Sequence, residues 1–295
     1  MEEFARSDIA AEEATKGELE GVRWQRSSTG GCEILRVQIK SEQAAAQLKK
    51  PQGRYITVEC GSIADLDQTQ AEQARCVLAV ELRELAHRCC PRPKNGRLSL
   101  LVVGLGNASV TPDALGAQTV KNLSVTGHFS KIESLLFAGG EGCRITAIET
   151  GVPAQSGISS ADLVRGAVLA TAPDLVLAVD ALAARSPELL GSTVQLCDTG
   201  VCPGSGIGER ADALTAATVG VPVLGIGVPT VVNSATFATD ALRLAGQSEL
   251  GEELRAALRR ARQLYVTPSG IDRLVGTAAI FLAQSIEKAF LGFME

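Results

Sequence analysis

Three aspartates in this chain follow short apolar runs. Asp113 comes after Leu98 to Val103 and a glycine turn, Asp180 ends Leu175-Val176-Leu177-Ala178-Val179, and Asp198 comes just after Thr193 to Leu196. Carboxylates delivered in pairs by buried strands suit acid–base work, because unlike surroundings keep one ionised and the other protonated. In Leu101-Val102-Val103-Gly104-Leu105-Gly106 a strand covered on both faces meets glycines that let the backbone turn sharply. Thr111-Pro112 then reads as an N-cap followed by proline at the first helical position. Asp113 therefore falls in a first helical turn, where unsatisfied N–H groups and the helix dipole favour its ionised form. That setting suits a structural cap as well as a catalytic base. Asp180, at the end of a buried run, needs a partner, and Arg185 or a neighbouring loop is expected to supply it. A paired, purely structural carboxylate is the competing reading there.

Other chemistries fit less well. Gly104-Leu105-Gly106 begins a dinucleotide fingerprint, but Ser109 stands where the third glycine belongs, and Gly208 is followed by Glu209 rather than a phosphate-binding lysine. Serine catalysis needs a base, and the chain has two histidines, His87 and His128; Ser205 lies in Pro203-Gly204-Ser205-Gly206, outside the nucleophile-elbow pattern. The eight cysteines lack the paired short gaps of a zinc site, and Cys89-Cys90 beside His87 is completed by no second cluster. They read as reduced thiols, with Cys197 and Cys202 lacking a nearby histidine in sequence. No cofactor and no metal are expected.

Composition bounds the elements that must position these residues. With 295 residues, 45% of them hydrophobic, the chain is expected to bury one large core as a single α/β domain. A net charge of -5 with interspersed signs gives no basic footprint for nucleic acid and no polybasic membrane patch. Neither a secretion signal nor a membrane span is expected, because the apolar runs are too short. Met1 to Arg26 reads as a charged leader and Ser27 to Gly31 as a linker. Strands are expected at Cys32–Lys40, Arg54–Cys60, Leu98–Val103, Ile145–Ile148, Leu175–Val179, Thr193–Leu196 and Val221–Ile226. Helices are expected at Gln68–His87, Pro112–Leu123 and Ala161–Ala170, then at Ala235–Leu244, Leu250–Leu264 and Ser269–Leu291 on the C-terminal side. The alternation predicts a mainly parallel, helix-covered sheet. Loops leaving the carboxyl ends of its strands, including Asp198 to Gly208 and Gly225 to Thr230, are expected to converge on one edge.

Four regions carry a family resemblance. Val103-Gly104-Leu105-Gly106-Asn107 with Val110-Thr111-Pro112-Asp113-Ala114-Leu115-Gly116 and Val125-Thr126-Gly127-His128 resembles the signature region of the spore germination proteases. Ala178 to Ser186 is similar to that family's second signature, and Asp198 to Gly208 and Ile226 to Val232 continue the match in order. Ala108-Ser109, Gly127 and Cys202 stand where the family pattern has Trp-Asn, Arg and His. The resemblance implies an atypical aspartic endopeptidase that degrades small acid-soluble spore proteins at germination, with Asp113 and Asp180 as its catalytic residues. It also implies a self-processing zymogen, a homo-oligomer, by family resemblance a tetramer, and work in the cytoplasm of the forespore and spore core, without direct nucleic-acid or membrane contact. The alternatives are a non-catalytic or nucleotide-binding α/β protein, or a metal-dependent processing protease of the same fold.

The leader heptad Arg6-Ser7-Asp8-Ile9-Ala10-Ala11-Glu12 resembles the acidic, apolar, small-residue pattern at which this family cuts its substrates and its own precursor. Residue types alone permit a capped helix start, with Ser7 as the cap and Glu12 solvated. The resemblance implies self-cleavage between Asp8 and Ile9, with residues 1–8 as a propeptide and 9–295 as the peptidase domain.

Overall fold

A computed structural model describes residues 7–10, 12, 19–93, 97–128, 143–202, 213–247 and 250–291. The glycine-rich loop at 203–208, with Ser205, lies outside them. The strands are β1 (Val22–Thr29), β2 (Cys32–Ile39), β3 (Gly53–Glu59), β4 (Ser99–Leu105), β5 (Arg144–Gly151), β6 (Leu175–Ala184), β7 (Thr193–Cys197), β8 (Val223–Asn233) and the short β9 (Tyr265–Val266). The main helices are α1 (Glu42–Leu48), α2 (Gln68–Cys89), α3 (Leu115–Lys121), α4 (Ser160–Thr171), α5 (Ser234–Leu244), α6 (Glu252–Ala261) and α7 (Ile271–Phe290).

One sheet joins the strands in the order β1-β2-β3-β7-β8-β6-β4-β5, with β9 on the far end of β8. The expected helix-covered α/β sheet is present. It is parallel from β8 through β6 and β4 to β5 and antiparallel from β1 through β7 to β8. β4 carries seven buried residues in a row, the signature of a strand covered on both faces. One face packs Leu100, Val102, Leu177, Val179, Leu196 and Ile226 against α2, α3 and α7. The opposite face packs Leu101, Val103, Val176 and Ala178 against α4. Farther along that second face, Leu35, Val37, Tyr55 and Cys197 are covered by α1 and by Ile9 and Ala10 of the leader.

Several boundaries differ from the sequence expectation, each for a tertiary reason. The Ser27–Gly31 stretch is no linker: β1 runs through Ser27 to Thr29, and Gly30 and Gly31, at φ +56° and +73°, make the two-residue turn of a β1–β2 hairpin. A strand of exposed polar residues has no apolar alternation to reveal it. β6 and β8 run several residues past the expected ends at Val179 and Ile226, because each supplies the other's ladder beyond the end of β4. Asp180 and Gly225 to Thr230 thus lie inside strands rather than in exit loops. None of the described helices is long and apolar enough to cross a membrane.

Candidate active site

β4 stands between β5 and β6; the β4–β5 crossover carries α3 on one face of the sheet and the β5–β6 crossover carries α4 on the other. The chain leaves β4 toward β5 and leaves β6 the other way, toward β7, so the carboxyl ends of β4 and β6 form the kind of switch point at which ligands gather in open α/β sheets. Asp113 and Asp180 both lie there, near enough for the charge of one to act on the other. β4 pairs β6 up to Gly104 opposite Val179, so Asp180 is the next residue of β6 beyond the shared ladder. Asp113 ends a 3-10 turn, Thr111–Asp113, that leads from β4 to α3 and packs on β6 and β8.

Close backbone contacts hold this turn in place. A Cβ on Gly104 would lie 2.4 Å from the Gly116 carbonyl oxygen, so α3 rests directly on the strand. Gly106, at φ +91°, lets the chain double back, and its Cα faces the Asp113 carbonyl so closely that a Cβ would sit 2.1 Å from that oxygen. Fully buried Thr230 of β8 donates its hydroxyl to the Pro112 carbonyl at 2.7 Å, tying the turn to the strand beside β6.

The Asp113 carboxylate accepts the Asn107 N–H at 2.6 Å. Asn107 is itself held, its side-chain oxygen accepting from Ser109 N–H and from the Gln155 amide, both at 2.9 Å. The α-helix starts only at Leu115 and the turn has no side-chain cap, so Asp113 does not occupy the ionising helical position expected for it. Burial raises its carboxyl above the ordinary value, against the pull of the Asn107 N–H. Asp180 is 8% exposed and accepts the Ala181 N–H at 2.9 Å. Burial pushes its carboxyl up to about 8, with the Asp113 and Asp8 carboxylates adding to the rise and the Ala181 N–H opposing it. Arg185, the expected partner, is instead bound through two nitrogens to Asp240 at 2.6 Å each.

The third aspartate goes elsewhere. β7 runs antiparallel to β8, so Asp198 emerges at the other end of the sheet, where it accepts the Arg54 N–H at 2.6 Å. The loops expected to converge therefore do not share one edge; an antiparallel neighbour reverses the direction in which its loop leaves. His87 and His128 lie exposed on α2 and in the turn after α3, and no group of three or more His, Cys, Asp or Glu able to hold a metal forms among the described residues. Burial raises the Cys197 thiol well above its ordinary value, the opposite of an activated nucleophile.

The leader residues Asp8 and Ile9 lie against this same region. Asp8 N–H donates to the Ala183 carbonyl at 2.8 Å, and Ala183 N–H returns to the Asp8 carboxylate at 2.9 Å, three residues along β6 from Asp180. The Asp8 carbonyl accepts from Lys50 Nζ and from the Gln195 side-chain amide, each at 2.8 Å. Ile9 is fully buried among Leu35, Val37, Ile39 and Tyr55. Glu12 is helical but not simply solvated: its carboxylate accepts the Arg185 and Ser186 N–H groups at 3.1 and 3.0 Å and meets the Ser7 hydroxyl. Ser7 Oγ accepts the Ile9 N–H at 2.9 Å, a local turn rather than a helix cap. Lys50 and Gln195 are the polar groups that sequence reading passes over. Gln195 leaves a trace there, as a lone amide inside a buried strand; Lys50, in Lys49-Lys50-Pro51, looks like solvated charge.

The sequence was also compared with known proteins. A family model described as germination protease matches residues 1–294. A germination protease from Caldanaerobacter subterraneus is 35% identical, the alignment covering 96% of this chain and 93% of that protein. One from Clostridium acetobutylicum is 34% identical over 98% of this chain and 96% of that one. The Bacillus subtilis germination protease is 40% identical over 76% of this chain, which spans 59% of that longer protein. Among solved structures, a [NiFe] hydrogenase maturation protease from Thermococcus kodakarensis covers 71% of this chain and 97% of its own at a TM-score of 0.34 and 17% identity.

Proposed function

The chain belongs to the germination protease family, and on that premise we propose that it is an aspartic-type endopeptidase in which Asp113 and Asp180 activate water against a peptide carbonyl. The observation that carries this reading is a buried Asp180 and a half-buried Asp113 close enough at the carboxyl ends of β4 and β6 for their charges to interact, with the Asp8–Ile9 segment hydrogen-bonded to the same β6. Asp113, the more exposed of the two, is the base that takes a proton from water. Asp180, whose burial keeps its proton near neutral pH, is the acid. Two carboxyl groups sharing one proton supply both roles, and the pair titrates as a unit.

The substrates we propose, on the family resemblance, are small acid-soluble spore proteins, in the spore core at germination. Residues 1–8 are the propeptide of a zymogen and 9–295 the peptidase domain, with processing between Asp8 and Ile9. Support for that position comes from the backbone: the segment is bonded to β6, its apolar residue is buried and its acidic residue at 12 meets two backbone N–H groups. Assembly as a homo-oligomer, a tetramer, rests on the resemblance alone. Intact mass of the full chain beside its Asp180→Asn variant tests the reading. Loss of residues 1–8 from the parent and not from the variant is expected; equal trimming of both, or of neither, removes it.

A further inference from the structure

The contacts on the Asp8 carbonyl have a use beyond docking. Gln195 is buried on a sheet face, where an unsatisfied amide is costly. Both ends of that amide are satisfied by the leader: Nε2 donates to the Asp8 carbonyl at 2.8 Å, and Oε1 accepts the Ala10 N–H at 2.9 Å. The Ala10 N–H fixes which end of the amide faces Asp8, so Gln195 brackets Ile9, its donor on the carbonyl of the Asp8–Ile9 bond and its acceptor on the N–H of the next peptide. Lys50 brings a cation to the same oxygen from α1. Its position comes from a left-handed helix end: Lys49 has φ +52° and the Lys50 N–H returns to the Ala45 carbonyl at 3.1 Å, which turns the chain out of α1 toward the sheet. Across the sheet, Gln195 pairs with Gly227 and Gly227 with Asp180, so Gln195 and Asp180 share one face, and the residue between them has no side chain.

We propose that Lys50 Nζ and the Gln195 amide form an oxyanion clamp, taking up the negative charge that develops on the Asp8 oxygen when water adds to its carbon. This rests on the aspartic reading above. In the step, the water oxygen bonds to the Asp8 carbonyl carbon, the water proton passes to the carboxylate of the pair, and the carbonyl π electrons move to the clamped oxygen. On collapse the bond from that carbon to the Ile9 nitrogen breaks and the protonated carboxyl of the pair gives its proton to that nitrogen. Asp8 is left as a C-terminal acid and Ile9 as an amine. Two donors at 2.8 Å from the ground-state carbonyl oxygen are in place to follow it as charge develops, and one of them is charged. A peptide substrate supplied in trans would present its scissile carbonyl to the same two donors.

The test is the first-order rate of self-cleavage of the full chain, followed by intact mass, for Lys50→Met, Gln195→Glu and Lys50→Arg. Gln195→Glu keeps the acceptor for Ala10 and loses the donor. Each of the first two is expected to slow cleavage on the order of 10²-fold, and Lys50→Arg to recover most of the rate. Amide hydrogen exchange at Ile9 and Ala10, measured with Asp180→Asn added so that the chain stays whole, separates polarisation from docking. Retained protection in a slowed Lys50→Met protein supports the clamp; protection lost in proportion to the rate makes Lys50 a docking residue and overturns it. Unchanged rates in folded variants overturn it while Asp180→Asn stays inactive and the aspartic reading stands. Cleavage by Asp180→Asn at the parental rate, or none by the parent, removes the reading beneath the clamp and the clamp with it. Lys50 is half-buried at a helix end, so Lys50→Met decides the matter if Gln195→Glu does not fold.

Discussion

Gly116 and Val179 meet backbone to backbone: a Cβ on Gly116 would lie 2.4 Å from the Val179 carbonyl oxygen, and this closeness is what brings Asp113 beside Asp180. α3 can follow the 3-10 turn so tightly only because its second residue has no side chain. Gly116→Ala is therefore expected to lift the turn from β6, costing about 1–3 kcal/mol as overpacked sites do. Proteolytic activity should fall by more than the loss of folded protein accounts for. Thermal unfolding beside an activity assay on the same sample checks this; an Ala variant with parental stability and turnover would show that the turn does not need the contact.

Asp113 and Asp180 acting as one unit have a kinetic signature. Asp113→Asn and Asp180→Asn should each abolish cleavage, and the double variant should be scarcely worse than either, since removing one member already removes the shared proton. Multiplicative losses in the double variant would mean that the two act separately.

The buried carboxyl also sets a pH dependence of stability. Asp180 in the folded chain holds its proton up to about 8, whereas unfolded it releases it near the ordinary value of 3.8. Between those values the native state binds the extra proton, so stability declines as pH rises from about 4 to about 8 and levels off above. Asp180→Asn removes the titration. It should stabilise the protein near pH 7, by at most about 4 kcal/mol, with the gain shrinking to nothing near pH 4. A gain independent of pH in parallel denaturation series would assign the effect to packing instead.

In the proposed processing segment Glu12 is held by two backbone N–H groups, at 3.1 and 3.0 Å. Glu12→Gln keeps an acceptor oxygen and should slow self-cleavage about tenfold or less, while Glu12→Ala, which leaves both N–H groups without this acceptor, should slow it more. Equal rates for both variants and the parent by intact mass would make the contact incidental.

The thiols should matter little. Cys76 and Cys202 are exposed, whereas Cys32, Cys60, Cys143 and Cys197 are buried with thiols raised by that burial. Alkylation of the native protein should modify exposed positions and leave most proteolytic activity; stoichiometric inactivation at one site with the fold intact would reopen cysteine chemistry.

What the sequence by itself determined was the set of apolar strands from Cys32 onward, the helices that cover them, and the two aspartates worth watching. These are local patterns: an apolar run or a helical stripe is written in consecutive residues and survives without knowledge of neighbours. Strand direction is not local. Nothing in Thr193 to Leu196 says that β7 lies antiparallel to β8, yet that alone sends Asp198 to the far end of the sheet and leaves Asp113 and Asp180 together. Ionisation was equally out of reach, since Asp113 sits near a helix start in sequence and is governed by burial in space. The partners of the leader came last of all: Lys50 and Gln195 stand 42 and 187 residues from Asp8, and only the register of β6, β8 and β7, with the left-handed end of α1, brings them to one carbonyl.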